Sequence, residues 1–247
     1  PIAMRMGTIN ELSAISANPG FFKESRVGIN CLSGFIQVTE KPSISLLEHH
    51  HEHRQRYTIE STWSPDKEVS ISGFLKIFLD GCFKNEPYKE GIIKLLFQIA
   101  GVACCNYSTR LSSPKAFVLF GPTAMNGKSQ FLKLLKGFMP ASAYTSIPPS
   151  NLQHEQYLAD LSGKSLNVTD ELSGSHAIVS DKMKSVITGD MVTAKEIYKK
   201  VFTFYPTALH LFAANVLPNF GGGVDAGIER RMKVIPFNRS IPAEERI

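Results

Sequence analysis

The strongest constraint on this chain is the stretch Phe117–Leu135, FVLFGPTAMNGKSQFLKLL. Four apolar residues, Phe117 to Phe120, enter a glycine-bounded loop, and Gly127-Lys128-Ser129 then opens an amphipathic run. Phe131, Leu134, Leu135 and Phe138 recur at helical spacing, so the stretch predicts a buried strand, a loop and a helix from Gln130 to Phe138. Such a loop can aim its backbone N–H groups at an anion on the positive end of the helix. A triphosphate fits that description. Lys128 would reach its β- and γ-phosphates, and Ser129 would help to hold Mg²⁺. The usual spacing leaves four residues between the glycines, whereas Gly121 and Gly127 enclose five. Either the loop bulges by one residue or Gly121 is not the first-turn glycine.

A chain of 247 residues can bury one large core or two modest ones. Its formal charge of +5 permits a nucleic-acid partner without demanding one. Cys31, Cys82, Cys104 and Cys105 show no C-x-x-C spacing, which points to a reducing, cytoplasmic setting. No apolar run approaches the ~20 residues of a membrane span, so no membrane partner is expected. The chain begins at Pro1 and stops at Ile247 soon after a strand-like run, and it reads as a fragment truncated at its C-terminus.

Two parts are expected. Residues 1–108 carry helical signals at Phe74–Phe83 and Ile92–Cys104 and read as a smaller, mainly helical domain. Residues 109–247 alternate short apolar strands with helices, which predicts an α/β sheet with helices on both faces. Tyr107–Pro114 is the expected linker. Four histidines, His49, His50, His51 and His53, crowd LLEHHHEHRQRYT, but no second ligand cluster follows; only His154, His176 and His210 remain, and a polar surface or turn is expected there rather than a metal site.

A phosphate loop alone does not choose among kinases, switches and motors. Ser165–Glu171, SLNVTDE, reads as a strand whose end delivers Asp170 towards Mg²⁺ and Glu171 towards a hydrolytic water. A further strand, Leu209–Ala214, presents Asn215, whose amide can bond both a γ-phosphate and an attacking water. After a glycine hinge come Arg230 and Arg231 and a fourth strand, Met232–Phe237; a guanidinium fork suits a transferring phosphoryl group. Met183, Val186 and Ile187 suggest a helix that stops at Gly189. Val192–Phe204 reads as two strand-like arms around a charged tip, where Lys195, Tyr198, Lys199 and Lys200 offer charge for backbone phosphates and one aromatic ring for a sugar or base.

In this order the motifs resemble superfamily 3 helicases of the phage/plasmid primase-helicase group. The likeness runs from about Phe117 to Arg239: the Asn-Gly-Lys-Ser loop, the strand ending Asp-Glu, ITGDMVTAKEIYKK, AANVLPNF and IERRMKVIPFNR. Upstream, LLEHHHEHRQRYT, WSPD and FLKIFLDGCF resemble the helical accessory region that precedes the motor in that group. The resemblance implies an AAA+-type P-loop ATPase that forms a homo-oligomeric, hexameric ring. Such a ring hydrolyses ATP with Mg²⁺ and drives single-stranded DNA through its pore during replication initiation in a bacterial host. Primase and origin-binding domains would belong to the full-length protein. Carried across by position, Gly121, Pro122, Thr123, Asn126, Gly127, Lys128, Ser129 and Gln130 hold the nucleotide. Asp170 and Glu171 form the acidic pair, Asn215 is the sensor, Arg230 or Arg231 is the arginine finger, and Lys195–Lys200 falls on the pore hairpin. Two rival readings are a nucleotide-regulated DNA-binding or loader ring that does not unwind, and a small-molecule kinase.

Overall fold

The computed structural model describes residues 21–39, 44–64, 73–172 and 177–246. The second half of the WSPD motif and His176 lie outside the described residues.

The centre of the molecule is a five-stranded parallel sheet in the order β10-β4-β9-β6-β5. Its members are β4 (Ala116–Phe120), β5 (Tyr144–Thr145), β6 (Leu166–Thr169), β9 (Leu209–Ala214) and β10 (Met232–Pro236). Every residue of β6 and β9 is buried. A parallel sheet covered on both faces has no polar side to present, so even Asn167, Thr169 and His210 on these strands are buried.

Alternation along β4 divides two cores. Phe117 and Leu119 point into one, with Leu166, Val168, Leu209, Leu211 and Ile235. Helices α1 (Gly73–Cys82), α2 (Lys89–Cys104) and α3 (Lys128–Gly137) cover this face through residues such as Leu79, Leu96, Ile99, Leu132 and Leu135. Ala116 and Val118 point to the opposite side and meet α4 (Glu155–Leu161), α5 (Ser180–Thr188) and α6 (Ala226–Arg231) through Leu158, Met183, Val186 and Ile228. The structure is therefore an α/β P-loop NTPase-type sheet with helices on both faces, as expected. Packing runs across residue 108, because α1 and α2 share their core with the sheet.

Two smaller sheets complete the fold. β7 (Val192–Lys195) and β8 (Val201–Phe204) pair antiparallel as a hairpin, with Val192 opposite Phe204. β1 (Gly28–Cys31), β2 (Gly34–Val38) and β3 (Ile44–Leu47) form an antiparallel sheet that the sequence reading did not anticipate. The histidine-rich segment packs beside it: His53 is buried and stacks on Phe35 at 4.3 Å, while His49 Nδ1 lies 2.9 Å from Asn30 Oδ1. His50, His51 and Glu52 lie together but exposed. No helix among the described residues is long and apolar enough to cross a membrane.

Candidate active site

The loop after β4 is built around positions where a side chain would not fit. A Cβ on Gly121 would stand 2.3 Å from the Phe237 carbonyl oxygen, and one on Gly127 would stand 2.3 Å from Cys82 Sγ. Gly127 also takes φ +91, a conformation that glycine adopts at no steric cost. Within the loop Met125 takes φ +58 and is largely exposed. Its carbonyl accepts from the Ile241 N–H at 2.8 Å, and Ser240 Oγ donates to the Ala124 carbonyl at 2.8 Å. The chain after β10 thus straps the loop. Its own anchors are Arg239, which donates to Gly81 O at 2.6 Å and pairs with Glu245 at 2.7 Å, and Lys84, 3.3 Å from Glu245. Inside the loop, buried Asn126 donates to the Thr123 carbonyl at 2.6 Å.

Lys128 opens α3 and is almost wholly buried. Its ammonium donates to Gly121 O at 2.8 Å and to Asn215 Oδ1 at 2.9 Å, with Thr123 O at 3.5 Å. All three acceptors are neutral, so burial lowers the ammonium pKa, and the nearby Glu171 carboxylate only partly restores it. A buried cation held by neutral oxygens is poised to bind an anion. Pro122, Thr123, Ser129 and Gln130 are exposed around it. A cleft of about 620 Å³ opens beside Gly127, walled by Phe74 and Phe78 of α1, Met125, Gln130, Leu134 and Ile241.

The strand ends converge as the topology requires. Asp170 and Glu171 follow β6, Asn215 follows β9, and β9 lies between β4 and β6. The two carboxylates have different surroundings. Glu171 acts on Lys128, whereas Asp170 pairs with Lys136 of α3 at 3.2 Å. That pair is half exposed and contributes little to stability.

Arg230 and Arg231 lie at the other end of the sheet. Met232 is level with Ala116 and Pro236 with Phe120, so the arginines stand beneath the full length of β10, ~16 Å from their own phosphate loop at the usual rise per residue. They close α6, a short helix that follows the glycine segment and was not expected from the sequence. Arg231 Nη1 turns back to the Gly227 carbonyl at 3.0 Å, with Nε buried and unbonded. Arg230 is exposed. Lys115 donates to the Arg230 carbonyl, and burial together with Lys233, Arg230 and Arg231 lowers its pKa. The result is a cluster of cations beside the sheet edge formed by β10.

At the hairpin tip Tyr198 is fully exposed at φ +61, and Ile197 is largely exposed. Lys195, Lys199 and Lys200 are exposed, and Lys199 pairs with Glu196.

A family model described as a family of unknown function, DUF5906, matches residues 119–231, from within β4 to the end of α6. A protein of Acanthamoeba polyphaga mimivirus, L207/L206, which carries a provisional helicase name, is 32% identical over 178 residues. That alignment takes in 68% of this chain and 17% of the mimivirus protein. The apo structure of the NrS-1 C-terminal region superposes with a TM-score of 0.52 at 19% identity, over 68% of this chain and 38% of that one. The chain therefore spans well under half the length of either. The superposition agrees with the sheet order in supporting a P-loop NTPase-type fold.

Proposed function

We propose that this chain is the motor region of an ATP-dependent DNA helicase of the superfamily 3 type, working as a ring on single-stranded DNA. The observation that carries the reading is the buried Lys128 ammonium, whose acceptors among the described residues are neutral oxygens, Asn215 Oδ1 included, with the Glu171 charge nearby. The helicase name of the mimivirus relative agrees with it. Triphosphate would bind against the loop N–H groups and Lys128, and the nucleoside would enter the cleft beside Gly127, whose apolar walls suit a base. Ser129, Asp170 and Glu171 supply oxygen ligands of the kind Mg²⁺ takes, and the bound ion would neutralise charge on the phosphates.

Within the site each residue has a separable task. Lys128 exchanges its carbonyl partners for phosphate oxygens. That exchange frees Asn215, whose amide then bonds the terminal phosphate and holds the attacking water in line. Glu171 orients that water and accepts its proton. Arg230, exposed at the sheet edge, reaches the site of a neighbouring subunit, since its own lies a strand length away. The exposed tip at Lys195, Tyr198, Lys199 and Lys200 contacts the strand.

Steady-state phosphate release with and without single-stranded DNA tests the reading. The expected result is ATP turnover that DNA stimulates and Lys128→Ala abolishes. Turnover in Lys128→Ala equal to wild type would reject the site, and nucleotide-dependent DNA binding with no turnover would favour a ring that does not unwind.

A further inference from the structure

Three successive carbonyls of the phosphate loop are each held by a donor. Thr123 O accepts from Asn126 Nδ2 at 2.6 Å, Ala124 O from Ser240 Oγ at 2.8 Å and Met125 O from the Ile241 N–H at 2.8 Å. The N–H groups of the same stretch, Thr123 to Gly127, have no acceptor among the described residues. The division matters for an anion. A peptide group that flips presents its carbonyl where its N–H had been, and a carbonyl oxygen facing the phosphates repels them, whereas a run of N–H groups attracts them. A loop with five residues between its glycines has one more peptide group to keep in order than the usual four.

Two of the three donors belong to the strap that follows β10, and the strap is anchored along its length. At its root Phe237 is wholly buried, meets the Phe83 ring edge-on at 4.8 Å, and donates its N–H to the Phe120 carbonyl at 2.6 Å. In its middle Arg239 reaches the Gly81 carbonyl of α1. At its end Glu245 gathers both Arg239 and Lys84, and Arg246 Nε donates to the Ile241 carbonyl at 3.0 Å. Ser240 and Ile241 are therefore donors fixed from both sides, and α1 is joined to the strap at Gly81 and Lys84.

The same segment lines the cleft of about 620 Å³ through Ile241, Glu245 and Arg246, together with Phe74, Ile77 and Phe78 of α1. One strap thus touches both the loop for the phosphates and the cleft for the nucleoside. Its bonds also outlast the change that ligand binding brings. Lys128 holds Gly121 O and Thr123 O in the structure and gives them up for phosphate oxygens on the reading above, whereas the bonds from Ser240 and Ile241 do not involve Lys128.

We propose that Ser240 and Ile241 are positioning residues for the nucleotide: they hold the Ala124 and Met125 carbonyls so that the loop N–H groups stay free for the phosphates, with Glu245 as the latch that keeps the strap and α1 together around the cleft. The inference rests on the nucleotide-site reading above and adds to it residues outside the loop that set its affinity.

The test is the anisotropy of a ribose-labelled fluorescent ADP titrated with wild type, Ser240→Ala, Ser240→Thr, Glu245→Gln and Lys128→Ala, beside steady-state ATP turnover and melting curves without nucleotide. Ser240→Ala should weaken ADP binding about 3- to 10-fold, the size of one neutral hydrogen bond. Its KM for ATP should rise by the same factor with kcat within about two-fold of wild type, because Glu171 and Asn215 are untouched. Ser240→Thr keeps the hydroxyl and should bind ADP like wild type. Glu245→Gln should weaken binding about 2- to 5-fold, since Arg239 and Lys84 lose the charge that gathers them. Wild-type ADP affinity in Ser240→Ala, with or without a lower melting temperature, would overturn the inference; if Lys128→Ala has meanwhile lost binding, the nucleotide site itself stands. An equal loss in Ser240→Ala and Ser240→Thr would also overturn it, because the hydroxyl would then not be what the loop feels. Wild-type affinity in Glu245→Gln would remove the latch from the proposal. A wild type that binds no ADP would overturn the nucleotide-site reading and the inference together.

Discussion

Lys128 Nζ donates a 2.9 Å hydrogen bond to Asn215 Oδ1, joining the start of α3 to the end of β9. The bond ties the residue that would hold the phosphates to the residue that would sense them. Lys128→Ala should abolish nucleotide binding and turnover together, because the charge-assisted contact disappears where several anionic oxygens converge. Asn215→Ala should leave nucleotide binding within a few-fold of wild type and lower turnover by about 10²-fold, the size of effect seen when one transition-state donor is removed. Calorimetric titration with a slowly hydrolysed ATP analogue, beside phosphate release, separates the two. Equal losses of binding in both variants would mean that Asn215 only positions Lys128.

The Glu171 charge is felt at Lys128 while Asp170 is held by Lys136, and on the proposed reading Glu171 is the carboxylate that activates water. Glu171→Gln should bind ATP and lose turnover by ~10²-fold or more. Lys136→Ala should change turnover little, since it breaks a half-exposed pair. A large loss in Lys136→Ala would show that the Asp170 pairing is part of the working site.

The arginines divide in a way that adjacent letters could not reveal. Arg231 is folded onto its own helix, so Arg231→Ala should lower stability by about 1–2 kcal/mol through the lost bond to Gly227, a few degrees in a melting curve. Arg230→Ala should melt like wild type and fail to hydrolyse ATP. The opposite pairing of melting and turnover defects would move the catalytic role to Arg231.

His210 lies in the central strand β9, wholly buried, and its neutral ring is fixed by the chain around it. Asn167 accepts from the Ile147 N–H at 2.7 Å and donates to the Ile147 carbonyl at 3.0 Å, which leaves its amide group to donate to His210 Nδ1 at 3.2 Å. Protonation would set two donors against each other, and burial lowers the His210 pKa to about 4, with only partial compensation from the Val186 backbone. The unfolded chain, with a pKa near 6.5, binds this proton first as pH falls. The stabilisation is therefore complete above about pH 6.5 and is lost towards pH 4, by up to about 3 kcal/mol. Urea unfolding across that range should show the slope in wild type and lose most of it in His210→Asn.

Much of this fold is legible in the letters because several strands of the sheet are short, mostly apolar runs with polar residues at their ends. β4, β9 and β10 fall within a residue of their expected places, and α5 stops at Gly189, whose φ of +75 suits glycine. The small sheet β1–β3 was not legible. Its strands have four or five residues, and the turn between the first two depends on Gly34 at φ +143. Helix α6 was hidden because three glycines precede it and only Ile228 of its six residues is buried. A cue was present: Asp225, whose side chain accepts from the Ile228 N–H at 2.8 Å as an N-cap. The candidate residues Asp170, Glu171 and Asn215 were legible as types at strand ends. The strap from Ser240 and Ile241 onto the loop was not, because backbone bonds between distant segments leave no pattern in sequence.

The central claim is that each ATP site is completed by a neighbour, and complementation tests it most directly. Arg230→Ala subunits carry an intact phosphate loop, and Lys128→Ala subunits carry an intact arginine. Phosphate release would be measured while the two inactive proteins are mixed at fixed total concentration with single-stranded DNA, and light scattering would report co-assembly. The account predicts turnover that is absent in either protein alone and rises to a maximum at intermediate ratios. Mixtures that co-assemble yet stay inactive at every ratio would contradict it.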